Sequence, residues 1–265
     1  MNLLLPGVYV AADSILHRLD PRIKMGAALL LMALPFAASS LGSTLLLLAF
    51  VITIVFLSTA PLPALLRTLR TVFWLGFFMF FFYLFTTPGQ PLVVLGKIAV
   101  TWEGLLRGAI QIYRLCLLVI IAALLTFTTS PSQLAHGLEA LLGPLEHLGL
   151  PVRELAMVLT IALRFVPTIF DEIDKIIKAQ EARGAHIRSN NPWHRVQSWV
   201  PMFVPIFVSA FRRSEELATA MEGRGFRGTR HRTRLYQLRL THQDLFASLI
   251  VVAVSLAVVA LNQLV

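Results

Sequence analysis

The sequence predicts an all-α integral membrane protein, with about five transmembrane helices and a set of long amphipathic helices on the cytoplasmic side. Three observations carry that prediction. Of 265 residues, 57% are hydrophobic and 14% charged, against about 25% charged in an ordinary soluble domain. The apolar residues gather in long runs separated by short turns. The positive charge is skewed: Lys and Arg number three before the first apolar run, five from Arg67 to Arg114, and fifteen from Arg153 to Arg239. A formal net charge of +9 could suit nucleic acid, but the basic residues are not spread as a groove-tracking patch requires. The skew reports topology instead, because Lys and Arg are retained in cytoplasmic loops.

The elements follow in order. Residues 1–24 form a polar lead-in whose three positive charges keep it cytoplasmic, with helix-start chemistry at Asp20-Pro21. Residues 1–21 contain acids and lack an apolar core with a small-residue cleavage site, so no cleavable signal peptide is expected. A first span runs from residue 25 to about 38. The uncharged pause Ser39-Ser40-Leu41-Gly42-Ser43 reads as a tight outside turn, and a second span ends near Ser58. Arg67 and Arg70 sit with Pro61 and Pro63 in a loop returning inside, before a third, phenylalanine-rich span over 72–85. Residues 86–103 hold two prolines, two glycines and Lys97, as in an outside loop carrying a hairpin or half-helix.

A fourth span covers 104–127 and contains Arg107 and Arg114, seven residues apart and so nearly on one face. Arg107 can snorkel to the interface. Arg114 lies deeper, where a charge is a functional-site hypothesis, bracing either another helix or a partner. The lone Cys116 lies in an apolar run, which excludes an intrachain disulfide or a cysteine-based zinc site.

From residue 128 the texture changes. Segments 132–149, 152–170 and 193–211 are apolar yet interrupted by Gly143-Pro144, by Arg164 with Pro167, and by Pro201 with Pro205. The cleanest run, 199–211, falls short of the roughly 20 residues a spanning helix needs. They read as helices at the cytoplasmic interface; two further spans would leave the end topology unchanged. Two polar helices are expected at 171–183 and 212–224, the first opening on Asp171-Glu172-Ile173-Asp174 as an acidic N-terminal turn. A last uncharged run, 245–265, is about one membrane thickness long and carries the C-terminus outside. The chain therefore divides into N-terminal transmembrane helices (1–127), a cytoplasmic or interfacial helical region (128–241) and a C-terminal transmembrane helix (242–265).

No His-Glu-x-x-His pair, Gly-x-Ser-x-Gly elbow or phosphate-cradling loop occurs. Asp171 and Asp174 could belong to a magnesium-dependent membrane enzyme, but the spans offer no facing acidic cluster. The distinctive feature is a repeat: Ala179-Gln180-Glu181-Ala182-Arg183-Gly184 and Ala220-Met221-Glu222-Gly223-Arg224-Gly225, forty-one residues apart. In each, Gly184 or Gly225 can take a left-handed cap and Arg183 or Arg224 is held at a helix C-terminus, where the backbone dipole favours a cation. Ala182 or Gly223 is small enough for close approach, and Glu181 or Glu222 supports. Two copies suggest two equivalent partners, and the Arg fork suits a bidentate carboxylate contact.

These phrases resemble the paired signatures of the transmembrane T component of energy-coupling factor transporters, the vitamin- and metal-importing branch of the ABC class. His17-Arg18-Leu19-Asp20-Pro21-Arg22-Ile23-Lys24 and the stretch 201–222 match as well, and the resemblance spans nearly the whole chain. It is similar to the shared-module type; Gly223 departs from the usual Ala. The resemblance implies that two cytoplasmic ATPases, as a heterodimer, bind at Arg183 and Arg224. It implies that an interchangeable vitamin-carrying S component rests on a greasy platform including Pro201, Phe203, Pro205 and Phe207. ATP and magnesium would belong to the ATPases, with no cofactor on this chain, no catalysis by it and no nucleic acid among its partners beside membrane lipid. A conventional ABC permease forming its own pathway is the competing reading.

Overall fold

The computed structural model describes residues 14–95, 98–184, 192–226, 228 and 240–263. The start of the polar lead-in, Lys97, Arg227 and the basic segment 229–239 lie outside the described residues. In chain order the elements are α1 (Ile15–Arg18), α2 (Pro21–Ala37), α3 (Leu41–Leu57), α4 (Leu62–Thr86), β1 (Pro91–Leu95), β2 (Ile98–Thr101), α5 (Trp102–Thr128), α6 (Pro131–Leu142), a 3-10 turn (Gly143–Leu148), α7 (Val152–Ala182), α8 (Pro192–Gly223) and α9 (His242–Gln263). They divide into two units, Met1–Leu141 with Leu238–Val265, and Leu142–Gln237.

In the first unit each expected span forms one helix: α2, α3, α4, α5 and α9. Among the described residues α4, α5 and α9 are long and apolar enough to cross a membrane, while α2 and α3 have 17 residues each, the lower end of the spanning range. The starts follow local chemistry. Asp20 accepts the Arg22 amide with Pro21 in the first turn, and the Ser40 hydroxyl accepts the Ser43 amide. Arg67 and Arg70 are not in a loop as the sequence suggests. They lie inside α4, which begins at Leu62 because Pro63 occupies a first-turn position where its missing N–H costs nothing. Between α4 and α5 the chain forms a two-stranded antiparallel hairpin, pairing Val94 with Ala99 and Leu95 with Ile98.

The packing centre of this unit joins α2, α3, α5 and α9 through Leu31, Leu34, Leu47, Val51, Leu117 and Val258. Helix α4 lies along α5, where glycines let the backbones approach. A Cβ on Gly104 would come within 2.9 Å of the Tyr83 carbonyl oxygen, and one on Gly108 within 2.8 Å of the Phe80 ring. Small residues serve this purpose where lipid removes the hydrophobic gain from helix pairing. The opposite faces carry exposed Leu29, Phe56, Phe73, Trp74, Phe78 and Leu249, a surface suited to hydrocarbon.

Polar side chains stitch the helix ends. Asn262 on α9 donates to the Ala37 carbonyl and accepts the Ser40 amide, closing the α2–α3 turn. Arg114 reaches the Ala38 carbonyl at 3.5 Å and lies 5.8 Å from the Phe36 ring centre, so it braces the C-terminal end of α2. Arg107 is exposed. At the other end the buried Lys24 ammonium donates to the carbonyls of His17 and Thr128.

The second unit corrects two expectations. The apolar segment 152–170 and the polar stretch 171–183 are one 31-residue helix, α7, passing through Pro167; α8 likewise runs 32 residues through Pro201 and Pro205. An interior proline removes one backbone hydrogen bond at a cost of about 3 kcal/mol, and here both helices continue past it; beyond the prolines Ile169, Ile173 and Ile176 of α7 and Ile206 and Ala210 of α8 line one narrow gap between the two helices. It follows that Asp171-Glu172-Ile173-Asp174 is no N-terminal turn. It lies mid-helix, where the dipole gives it nothing.

Candidate functional site

Both repeated phrases end helices. Arg183 is the C-cap of α7, its amide donating to the Ala179 and Gln180 carbonyls, and the Gly184 amide donates to the Glu181 carbonyl at 3.0 Å. Gly184 has φ +86°. The second copy repeats this: the Arg224 amide donates to the Ala220 carbonyl, the Gly225 amide to the Glu222 carbonyl at 2.8 Å, and Gly225 has φ +73°. The Phe226 amide also returns to the Met221 carbonyl at 3.0 Å, completing a Schellman motif. A side chain at either left-handed position would cost about 1–2 kcal/mol, which is why glycine stands there. Arg183 and Arg224 are exposed, as are Ala182, Gly184, Glu222, Gly223 and Gly225, whereas Glu181 is half-buried. In each copy the left-handed glycine closes the last turn directly after an exposed arginine.

What joins the two helices is a group whose pairing the sequence did not disclose. The Arg213 guanidinium on α8 donates to Glu172 Oε2 on α7 through Nε and Nη2, each at 2.8 Å, and the Ser209 hydroxyl donates to Glu172 Oε1. These bonds, that from Ser209 foremost and then those from Arg213, hold the Glu172 carboxyl below its ordinary value of 4.5 against the opposing pull of burial, with the Arg212 charge adding to the effect. Asp171 and Asp174 are exposed, and among the described residues no three of His, Cys, Asp and Glu gather into a metal-holding group. One signal was available: Glu172 and Arg213 are forty-one residues apart, the same spacing as the repeated phrases.

The expected platform residues lie on α8. Phe203 and Phe207 are 53% and 59% exposed, and they share one stripe with Val204, Val208 and Phe211, all more than three-fifths exposed. Pro201 is exposed and Pro205 half-buried, while Met202 is buried. On α7, Leu155, Val158 and Phe170 are also open. Such contiguous apolar area on otherwise charged helices marks a surface for lipid or another protein.

Fold and site together define a class: an all-α membrane protein carrying two arginine-tipped helix ends on long amphipathic helices. Comparison narrows it. The family described as "Cobalt transport protein" (CbiQ) matches residues 12–235. The "Energy-coupling factor transporter transmembrane protein EcfT" of Thermosediminibacter oceani is 43% identical over 241 residues, 91% of each chain. The protein of the same description from Bacillus subtilis is 41% identical over 256 residues, covering 96% of this chain and 97% of its own. That from Heliobacterium modesticaldum is 44% identical over 238 residues, 90% of each. The chain belongs to this family, the transmembrane (T) components of energy-coupling factor transporters.

Proposed function

We propose that this chain is the coupling subunit of its transporter, carrying the ATP-driven motion of two cytoplasmic ATPases to a membrane-embedded S component that imports a vitamin or other micronutrient. The observation that carries the reading is the matched pair of tips, Arg183 before Gly184 and Arg224 before Gly225, exposed at the ends of the two longest helices. Each presents a guanidinium fork suited to a carboxylate or to free carbonyls in an ATPase groove. The chain itself contributes no catalytic group and no bound cofactor; ATP and magnesium belong to the ATPases. Its S-component platform is the stripe with Phe203 and Phe207, flanked by Pro201 and Pro205. Because the tips are cytoplasmic and α9 follows them as a single span, the N-terminus is inside and the C-terminus outside. The shared-module type of the family makes the S component interchangeable and the ATPases a heterodimer.

The test is Arg183→Ala combined with Arg224→Ala in the complete transporter. The double variant is expected to lose ATPase copurification and ATP-driven uptake, and each single variant to lose less, by unequal amounts if the two ATPases differ. Removing one partner of a buried charged pair costs about 2–5 kcal/mol, so two losses together, about 4–10 kcal/mol, weaken a complex of micromolar affinity to millimolar or beyond. A double variant that assembles and transports normally contradicts the reading.

A further inference from the structure

The Glu172–Arg213 bond has a position that packing alone does not require. Glu172 stands eleven residues before Arg183, and Arg213 eleven before Arg224. Along continuous helix, which α7 and α8 are over those stretches, eleven residues rise about 16 Å. The ionic contact therefore lies at the same distance from both arginine tips. Around it Ile169, Ile173 and Ile176 line a narrow gap with Ile206 and Ala210, and an apolar lining of this kind permits sliding, since aliphatic packing has no directional preference. Glu172 supplies the direction. Its two oxygens are both occupied, one by the Ser209 hydroxyl and the other by Nε and Nη2 of Arg213. Three donors from one helix on one carboxylate of the other fix register and rotation as no apolar contact can. The side chains are 23% and 34% exposed, so the pair is reachable by water and able to re-form after displacement.

We propose that Glu172, Arg213 and Ser209 form a pivot between α7 and α8, an ionic pin at matched register that sets the separation of the two arginine tips and makes the helices respond to the ATPases as one lever. This rests on the coupling function proposed above. The three are positioning residues that act through the tips. An ordinary surface ion pair is worth little, so the pin's contribution lies in geometry, and geometry is what the test must read.

The test uses the complete transporter in lipid nanodiscs, with spin labels at Lys178→Cys and Thr219→Cys in a Cys116→Ser background. Both label sites are exposed, and each lies five residues before its tip arginine. Electron–electron distances are measured without nucleotide and with MgATP plus vanadate. With the native pin, a single narrow distribution is expected, displaced as a whole by nucleotide. In Glu172→Gln or Arg213→Gln, ATPases still copurify, but the population at the native separation falls about two- to fivefold and the nucleotide-driven displacement shrinks with it. Ser209→Ala, which removes a single neutral donor, moves both readouts the same way by less. The exchange Glu172→Arg with Arg213→Glu restores them, which a general packing defect would not allow. Unchanged distributions in both neutralised variants overturn the pivot, as does failure of the exchange to restore what either single change removes. Arg183→Ala with Arg224→Ala is the separate arm: retention of ATPases and of the full nucleotide-driven displacement there overturns the coupling function itself, whatever the pin variants do.

Discussion

The Asp244 carboxylate accepts the backbone amide of Asp20 at 2.7 Å, joining the first turn of α9 to the N-cap of α2 across 224 residues of sequence. Its second oxygen accepts the Thr241 amide at 2.8 Å, and Asp20 in turn caps α2 through the Arg22 amide at 2.9 Å. The C-terminal span is thus placed by two helix starts sharing one carboxylate, which is 2% exposed as a residue.

Replacing Asp244 should consequently detach α9 from α2. Asp244→Leu leaves two amides without an acceptor in a buried site, a loss of about 1–3 kcal/mol for each group left unpaired. A lowered melting temperature in detergent, with cross-linking between cysteines placed on α2 and α9 reduced, is the expected outcome; native melting and cross-linking would refute the joint.

The α4–α5 contact predicts an order among glycine substitutions. Gly104→Ala places a methyl 2.9–3.0 Å from the backbone oxygens of Tyr83 and Leu84, which cannot yield without moving the helix. Gly108→Ala meets chiefly the Phe80 side chain, which can turn. Overpacking of this kind costs about 1–3 kcal/mol, and Gly104→Ala should sit at the upper end. Gly26→Ala and Gly42→Ala meet nothing within 4 Å and should be neutral or stabilising by up to about 1 kcal/mol. Melting temperatures of the four variants check the ranking.

At the second tip, Gly223 and Gly225 should behave oppositely. Gly223 ends the helix in open space, so Gly223→Ala matches the first copy and improves helix propensity. Gly225→Ala forces a side chain into φ +73°, at about 1–2 kcal/mol, and unwinds the cap that presents Arg224. ATPase copurification is expected to survive the first change and weaken with the second. Equal behaviour of the two would mean that cap geometry does not matter to docking.

Acidity should loosen the α7–α8 contact only well below neutrality. Glu172 is held below its ordinary value of 4.5, so its contribution is fully present above that value. It begins to fall as pH drops past 4.5 and is gone below the lowered folded value. Label distances between α7 and α8 should be constant from neutral pH down to about 5 and broaden below that, with Glu172→Gln already broad and flat throughout. A native chain that changes between pH 7 and 5 would place the controlling group elsewhere.

Much of this molecule was legible before folding was considered. The starts at Asp20-Pro21 and Ser40 are local, because a cap is a side chain bonding an amide two or three residues away. The glycines at 184 and 225 were legible for the same reason: a left-handed cap concerns the last turn only. The proline- and glycine-rich gap between two apolar runs suited a hairpin or a half-helix, and the structure has the hairpin, Pro91–Leu95 paired with Ile98–Thr101. The interruptions at Pro167, Pro201 and Pro205 misled, since each lies inside a helix that continues past it.

By itself, then, the sequence determined a membrane protein of about five apolar spans, the direction of its charge, and two arginine-tipped helix ends in matching copies. Each of these depends on composition or on contacts within four residues. Only the tertiary structure decided that α7 and α8 run unbroken through their prolines, that Arg114 reaches the end of α2, that Asp244 fastens the last span to the first, and that Glu172 pairs with Arg213. The physical reason is common to all four. An ionic or backbone-capping contact between residues dozens or hundreds of positions apart depends on which helix faces which, and no short stretch of chain specifies that.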